Sequence, residues 1–519
     1  MKGSILFGML MIFLLVMACP EAGENLAEGE TGEALARRYC SNCHQFPAPT
    51  LLDRTTWQQE ILPKMGYMMG MRQLYDSMAH HFTEEQLGTQ LIDQTEIFPR
   101  ETTISPEAWQ KIRQFYLDQA PAQLDTAGRP PITSPLDIFS VRLPEERFSP
   151  PGTSLIQIME GGKIMMGDIH QGLLLQYDRD LHLLKSAPVG TGAVHLNPTE
   201  EGLWLTVMGN FLASDQAEGY LVFYPRDKQL PPTRPVTGLK RPVHTALGDL
   251  NQDGQTDILI CEFGKWNGQL SWWEAGGDGY RPHILSGPSA PMRAYIEDLN
   301  GDGRPDIIAL FGQGREGIRA FYQEEAGQFR EEELIALHPA MGSSFFNLRD
   351  VDGDGDLDIL YTAGDNADYR PIRKPYQGIY LYLNENGSFR QEFFYPLYGA
   401  YRVAAEDFDQ DGDLDLAAIS FFPDYRNQPE ASFVYLENQG DYQFSASTFQ
   451  DAARERWISM DVGDLDADGD LDIVLGALAF EIPDAELQHF QEAWLRNGIP
   501  FLVLENQLDQ AFPTTKLHN

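Results

Sequence analysis

The sequence predicts a multidomain chain of two unlike classes, a small all-α domain followed by a larger all-β domain built from repeated four-stranded units. Three observations carry this. Cys40, Cys43 and His44 stand in a C-x-x-C-H arrangement, with segments of helical pattern on either side. A nine-residue acidic phrase recurs five times, its first aspartates 49, 52, 57 and 57 residues apart, and each interval is the length of one propeller blade. A proline-rich stretch separates the two patterns, and at 519 residues the chain is long for a single core.

Residues 1–19 read as an export signal: Lys2, an uncharged apolar run from Ile5 to Met17, then Ala18-Cys19 and a polar segment. The run falls short of the roughly 20 apolar residues that span a bilayer. Val16-Met17-Ala18-Cys19 resembles the lipobox of bacterial lipoproteins. The resemblance implies a lipidated Cys19 and a periplasmic or cell-surface protein, anchored at the outer membrane and touching lipid only through that anchor.

Residues 31–122 form the helical domain. Thr31 to Tyr39 predicts a helix leading into the motif, with Leu35 and Tyr39 on one face. A second helix begins after the N-cap Ser105, with Pro106 first and Glu107 in the positive end of the dipole. C-x-x-C-H is the spacing at which two thiols bond covalently to haem and the next residue ligates its iron. The chain has four cysteines; Cys19 and Cys261 complete neither a second C-x-x-C for zinc nor a disulfide framework. The domain resembles small c-type cytochromes, which implies first and last helices crossed over the haem edge, His44 as one axial ligand and single-electron transfer. The second ligand is expected to be a methionine sulfur, with Met65, Met68, Met69, Met71 and Met78 as candidates. Trp57 to Met65 resembles the tryptophan-then-methionine segment of a subgroup of these cytochromes, which implies Met65; Met68, Met69 or Met71 are the next choices, and His80 or His81 a lesser alternative.

Residues 123–150, with Gly128-Arg129-Pro130-Pro131, read as a linker into the β domain at 151–519. The repeated phrases occupy 249–257, 298–306, 350–358, 407–415 and 464–472. Their oxygen-bearing residues at positions 1, 3, 5 and 9 are Asp249, Asn251, Asp253 and Asp257; Asp298, Asn300, Asp302 and Asp306; Asp350, Asp352, Asp354 and Asp358; Asp407, Asp409, Asp411 and Asp415; and Asp464, Asp466, Asp468 and Asp472. With glycine at the sharp bend of position 6 and a backbone carbonyl at 7, the set suits calcium. An EF-hand is excluded, because position 12 is Ile260, Ala309, Tyr361, Ala418 or Leu475 and the flanks are strand-like.

The copies resemble FG-GAP or VCBS repeats, which implies blades of a seven-bladed β-propeller. Gly161 to Tyr177 and Glu201 to Tyr224 alternate strands and turns without the acidic phrase and supply two further blades. Pro483 to Asn497 breaks the strand pattern and predicts a helical insertion in the last blade.

The formal charge of −39 excludes nucleic acid and anionic lipid surfaces as partners. Twenty-one aspartates lie inside the five phrases, so much of this acidity is expected to serve structure. No Ser-His-Asp order, phosphate loop or nucleotide fingerprint is present. Five residues before each phrase stand His244, Arg293, Phe345, Arg402 and Ser459, which rotation of the blades should gather into a ring at one channel mouth. His244, Arg293 and Arg402 are thus a candidate site for a carbohydrate or small anionic ligand, against the plainer reading that they pair with acids such as Glu297 and Glu406. The functional expectation is an exported haem c electron-transfer protein whose propeller is a binding or docking scaffold. The alternatives are a periplasmic sugar or alcohol dehydrogenase, on architectural similarity to quinoprotein dehydrogenases, and an adhesion or carbohydrate-binding protein with a haem sensor.

Overall fold

The computed structural model describes residues 30–71, 99, 101–126, 128–133, 135–365, 372–479 and 487–508. It divides into two compact units, one of residues 1–39 and 53–122 and the other of 40–52 and 123–519. Segment 40–52, which the sequence reading assigned to the helical domain, therefore groups with the β unit, where the Tyr376 hydroxyl donates to the Leu51 carbonyl at 2.9 Å.

The first unit is helical. Helix α1 (Gly32–Cys40) buries Leu35 and Ala36. Asp53 caps the short α2 (Arg54–Thr56), accepting from the Thr56 backbone N–H at 3.0 Å and its hydroxyl at 2.6 Å. A π-helical turn, Trp57–Ile61, leads on into α3 (Leu62–Met68). Helix α4 (Pro106–Gln119) starts as expected, with the Ser105 hydroxyl accepting from the Ala108 N–H at 3.1 Å. Trp57 and Tyr116 rings meet at 4.4 Å in a core with Leu62, Trp109 and Ile112. The first and last helices touch: a Cβ on Gly32 would lie 2.3 Å from the Lys111 carbonyl, so only glycine allows this approach.

The second unit is a seven-bladed β-propeller, seven antiparallel sheets of four strands each. The innermost strands are Thr153–Met159, Ala193–Pro198, Pro242–Gly248, Pro291–Glu297, Ser343–Arg349, Ala400–Glu406 and Trp457–Gly463, and each contacts the next around a closed ring. Blades 1 and 2 are the two without acidic phrases; the five phrases join the first and second strands of blades 3 to 7. Helix α5 (Gln488–Asn497) is the insertion expected in blade 7.

Burial follows position in the blade. Second strands such as Asp306–Phe311 and Asp472–Ala477 are buried at every residue, because neighbouring blades cover both faces. Outermost strands such as Gln328–Ala336 are mostly exposed and charged, which protects the sheet edge. Between blades 3 and 4, Leu259, Leu270, Ala294, Ile307, Ala309 and Phe321 form one apolar layer.

Closure was not foreseen. Within the stretch read as a linker, Phe139–Arg142 is a strand, and it pairs with Phe501–Asn506 as the outermost strand of blade 7, Phe139 opposite Asn506 and Arg142 opposite Val503. Arg142 fixes it further through Glu505 at 2.9 Å. The two ends of the propeller are thus knitted into one sheet.

Candidate functional site

Three groups of residues bear on function. In the C-x-x-C-H segment, Cys40 is the last residue of α1, Cys43 is exposed, and the His44 side chain is only 8% exposed. His44 Nδ1 lies 2.9 Å from the Gln45 carbonyl oxygen, and burial lowers the imidazole pKa. Donating Nδ1–H to that carbonyl leaves the Nε2 lone pair available to a metal. Met65 sits half-buried on α3, Met68 and Met69 are also half-buried, and Met71 is buried. Cys19, Met78, His80 and His81 lie outside the described residues. Among the described residues no helix is long and apolar enough to cross a membrane.

The acidic phrases form five similar loops. Position 6 is in the left-handed region in each, with φ of 85° at Gly254, 82° at Gly303, 97° at Gly355, 102° at Gly412 and 100° at Gly469. Position 4 is left-handed too, at Gln252, Gly301, Gly353, Gln410 and Ala467, which nothing in the residue types announced. Position 1 turns its carboxylate inward: Asp249 accepts from the N–H groups of Asp253 (3.0 Å) and Gly254 (2.7 Å), and Asp298 from Asp302 (3.0 Å) and Gly303 (2.8 Å).

Position 9 has a second role that spacing alone did not reveal. Asp306 is fully buried, and its two oxygens accept the Leu299 N–H (3.2 Å) and the Gln323 N–H of the third strand (2.8 Å). Asp257 repeats this with Leu250 and Ala275, Asp358 with Val351 and Asn384, and Asp472 with Leu465 and Asn506. Asp415 takes the Asn438 N–H and the Tyr435 hydroxyl. Each therefore staples its loop to the third strand of its own blade. Neighbouring loops are also laced: Gln252 donates to the Gly303 carbonyl at 3.3 Å and Gln410 to that of Gly469 at 3.2 Å.

Carboxylates converge most in blades 5 to 7. Asp350, Asp352 and Asp358, Asp407, Asp409 and Asp411, and Asp464, Asp466 and Asp472 each bring ligand atoms within 4.8 Å of one another. Oδ1 atoms of Asp407, Asp413 and Asp470 are buried without a hydrogen-bond partner. Burial pushes Asp415 and Asp472 up to about 6, and burial with the neighbouring Asp468 pushes Asp470 up to about 7. Such a set suits a hard cation that takes oxygen ligands. In blades 3 and 4 the third position is the neutral Asn251 or Asn300.

The channel ring forms, and it is larger than the sequence suggested. Every inner strand carries a register shift just before the ring position, which places His195 of blade 2 in line with His244, Arg293, Phe345, Arg402 and Ser459. His195 was missed because no acidic phrase follows blade 2 to set the frame. The side chains make a continuous belt: His195 and His244 rings lie 4.1 Å apart, His244 is 6.3 Å from Tyr295, and the Tyr295 hydroxyl accepts from Arg293 Nε at 2.6 Å. Arg293 and Arg402 both pack on Phe345, at 4.6 Å and 5.0 Å from its centroid. Glu406 does not pair with Arg402; it binds Arg349 at 2.8 Å. Burial, then the two arginines, brings His195 down to about 3, and Arg402 falls to about 10 through burial and the charge of Arg293.

Three overlapping segments, 249–309, 298–361 and 350–418, match the model of the FG-GAP-like repeat, each running from one acidic loop through the next. No curated protein sequence matches the chain. Among solved structures, it is similar to virginiamycin B lyase from Staphylococcus aureus (12% identity over 70% of this chain and 98% of that one, TM-score 0.44). It is also similar to a periplasmic gluconolactonase of Pseudomonas aeruginosa (14%, 57% and 84%, TM-score 0.38) and to the N-terminal domain of Nup159 (10%, 72% and 97%, TM-score 0.41).

Proposed function

We propose that this propeller protein is an exported single-electron carrier, with haem c bonded to Cys40 and Cys43 and ligated by His44, and with the propeller as its binding or docking scaffold. The observation that supports this most is the His44 imidazole, buried and oriented by the Gln45 carbonyl so that Nε2 is left for iron. Cys40 at the end of α1 and Cys43 on the surface leave both thiols within reach of covalent addition. When bound, the group would supply a reversible change between ferrous and ferric iron. The chain's part is to fix the ligand ring, to offer Met65 as the second ligand and to present Cys40 and Cys43 for attachment, which suits maturation after export and lipid anchoring at Cys19.

Calcium belongs to the same reading. The converging aspartates of blades 5 to 7, with their orphan oxygens, would hold the ion, while the position 9 aspartates join each loop to its blade. The dehydrogenase alternative needs a base held by an orienting carboxylate, and His244 Nδ1 has no partner among the described residues. We therefore prefer the scaffold.

The test is a pyridine haemochrome spectrum and intact mass of the full chain, exported in a host with working cytochrome maturation. Covalent haem lost in Cys40→Ala and Cys43→Ala is expected, and Met65→Ala should lower the reduction potential. Wild-type protein without covalent haem would overturn the proposal.

A further inference from the structure

We infer that the belt on the inner strands is a binding site for a small oxyanion, a carboxylate or phosphate, held by Arg293 and Arg402 beside His244. The inference rests on the propeller alone and stands or falls separately from haem attachment. Three observations lead to it.

First, the belt has an uncompensated positive charge. Neither guanidinium has a carboxylate within 4.0 Å among the described residues, yet both bracket one ring, Phe345. The acid that acts on both is Asp461, and its Oδ2 is engaged by the Ile158 N–H at 2.7 Å, across the blade 7 to blade 1 boundary. Two arginines against one distant, occupied carboxylate leave a net charge near +1 where burial makes charge costly. An anion supplied from solution removes that cost.

Second, the site contains an orphan. His244 is 6% exposed, and its Nδ1 has no hydrogen-bond partner. A buried ring nitrogen left unpaired is costly, and a ligand oxygen would relieve that cost. His195 does not supply that partner: its ring lies tilted against His244 at 4.1 Å without a hydrogen bond to Nδ1, and its own Nδ1 lies 3.3 Å from Asn197 Nδ2.

Third, the belt is not sealed from solvent. His195, Arg293, Tyr295, Phe345, Arg402 and Asp461 all sit on innermost strands but retain partial solvent access, so the channel admits at least water. Planar guanidiniums fork onto carboxylate and phosphate oxygens, and Tyr295 already fixes the angle of Arg293.

The experiment is calorimetric titration and thermal shift of the full calcium-loaded chain with sodium acetate, malonate and phosphate at constant ionic strength, with chloride as the screening control. Saturable binding by at least one oxyanion, weakened about tenfold or more in Arg402→Gln and Arg293→Gln and less in Arg402→Lys, is expected. Asp461→Asn should tighten it. The carboxylate and phosphate arms identify which oxyanion is taken. No saturable response to any of them, or binding unchanged in both glutamine variants, overturns the proposal. An unchanged far-ultraviolet spectrum and melting temperature for Arg402→Lys guard against misfolding as the cause.

Discussion

In blades 3 to 7 the loop and the belt lie at opposite ends of the same inner strands, and they are built by opposite rules. Arg402 and Asp407 are five residues apart, about 17 Å along a strand. The loop repeats its residues in five blades, whereas the belt reads His195, His244, Arg293, Phe345, Arg402 and Ser459 over blades 2 to 7. Repetition follows structural need, since four of the five position 9 aspartates answer the same two backbone donors, and Asp415 answers one of them together with the Tyr435 hydroxyl. Variation follows the channel, where each blade faces a common axis and need not do the same work. In a rotationally repeated fold, what recurs holds the fold and what differs is free to recognise.

The largest effect that could break this contrast is at position 9. Asp472→Ala would strand two buried N–H groups, those of Leu465 and Asn506, and should cost about 2–5 kcal/mol, read as a lower denaturation midpoint of the propeller. A loss below about 1 kcal/mol would make the staple decorative.

Calcium removal comes next. Chelation should lower the melting temperature of the propeller and leave far-ultraviolet evidence of the first helical unit intact, with Asp407→Asn more harmful to calcium dependence than Asp249→Asn because its trio is all carboxylate. Equal melting in chelator and in excess calcium would remove the ion from the account.

The pH response should separate the two ends. In chelator, Asp415 and Asp472 near 6 against 3.8 unfolded make the folded chain bind more protons, so stability falls as pH rises from about 4 to 6. His195 near 3 against 6.5 does the reverse, so its contribution is present above pH 6.5 and is lost as pH falls toward 3. Calcium should cancel the first slope and expose the second. Melting temperatures across pH 4.5 to 7 with and without the ion would show it, and His195→Gln should reduce the calcium-loaded slope without removing it, since burial also lowers His244 and brings His338 down to about 4. The smallest effect is at the belt's charge: Arg402→Gln should leave stability within about 0.5 kcal/mol or raise it, since it removes a buried guanidinium without an ion pair.

Much of this was legible in the chain. The Ser105 cap and Pro106 start were local and correct, and the glycine of position 6 announced its own left-handed bend. The count of seven blades followed from five acidic phrases and two plainer ones. The closing strand was not legible, because Phe139–Arg142 is four residues in a proline-rich stretch and its partner lies at the far end of the chain. Position 9 was legible as an oxygen donor, but its backbone partners sit on a third strand whose register the spacing does not state. His195 lacked a frame, and only the register shift shared by all seven inner strands supplies one. The C-x-x-C-H segment is the reverse case: its chemistry is read from the residues alone, and the haem spectrum is what tests it.

The pairing of Phe139–Arg142 with Phe501–Asn506 also sets a clock. The ring's outermost strand is made early and its mate almost last, about 360 residues later, which is roughly 20–70 s at ordinary rates of synthesis. Until then six blades can zip in sequence while the seventh has no outer edge and its neighbour no seal. A chain stopped before residue 501 keeps every loop and every belt residue but lacks the strand that ties the two ends of the propeller into one sheet.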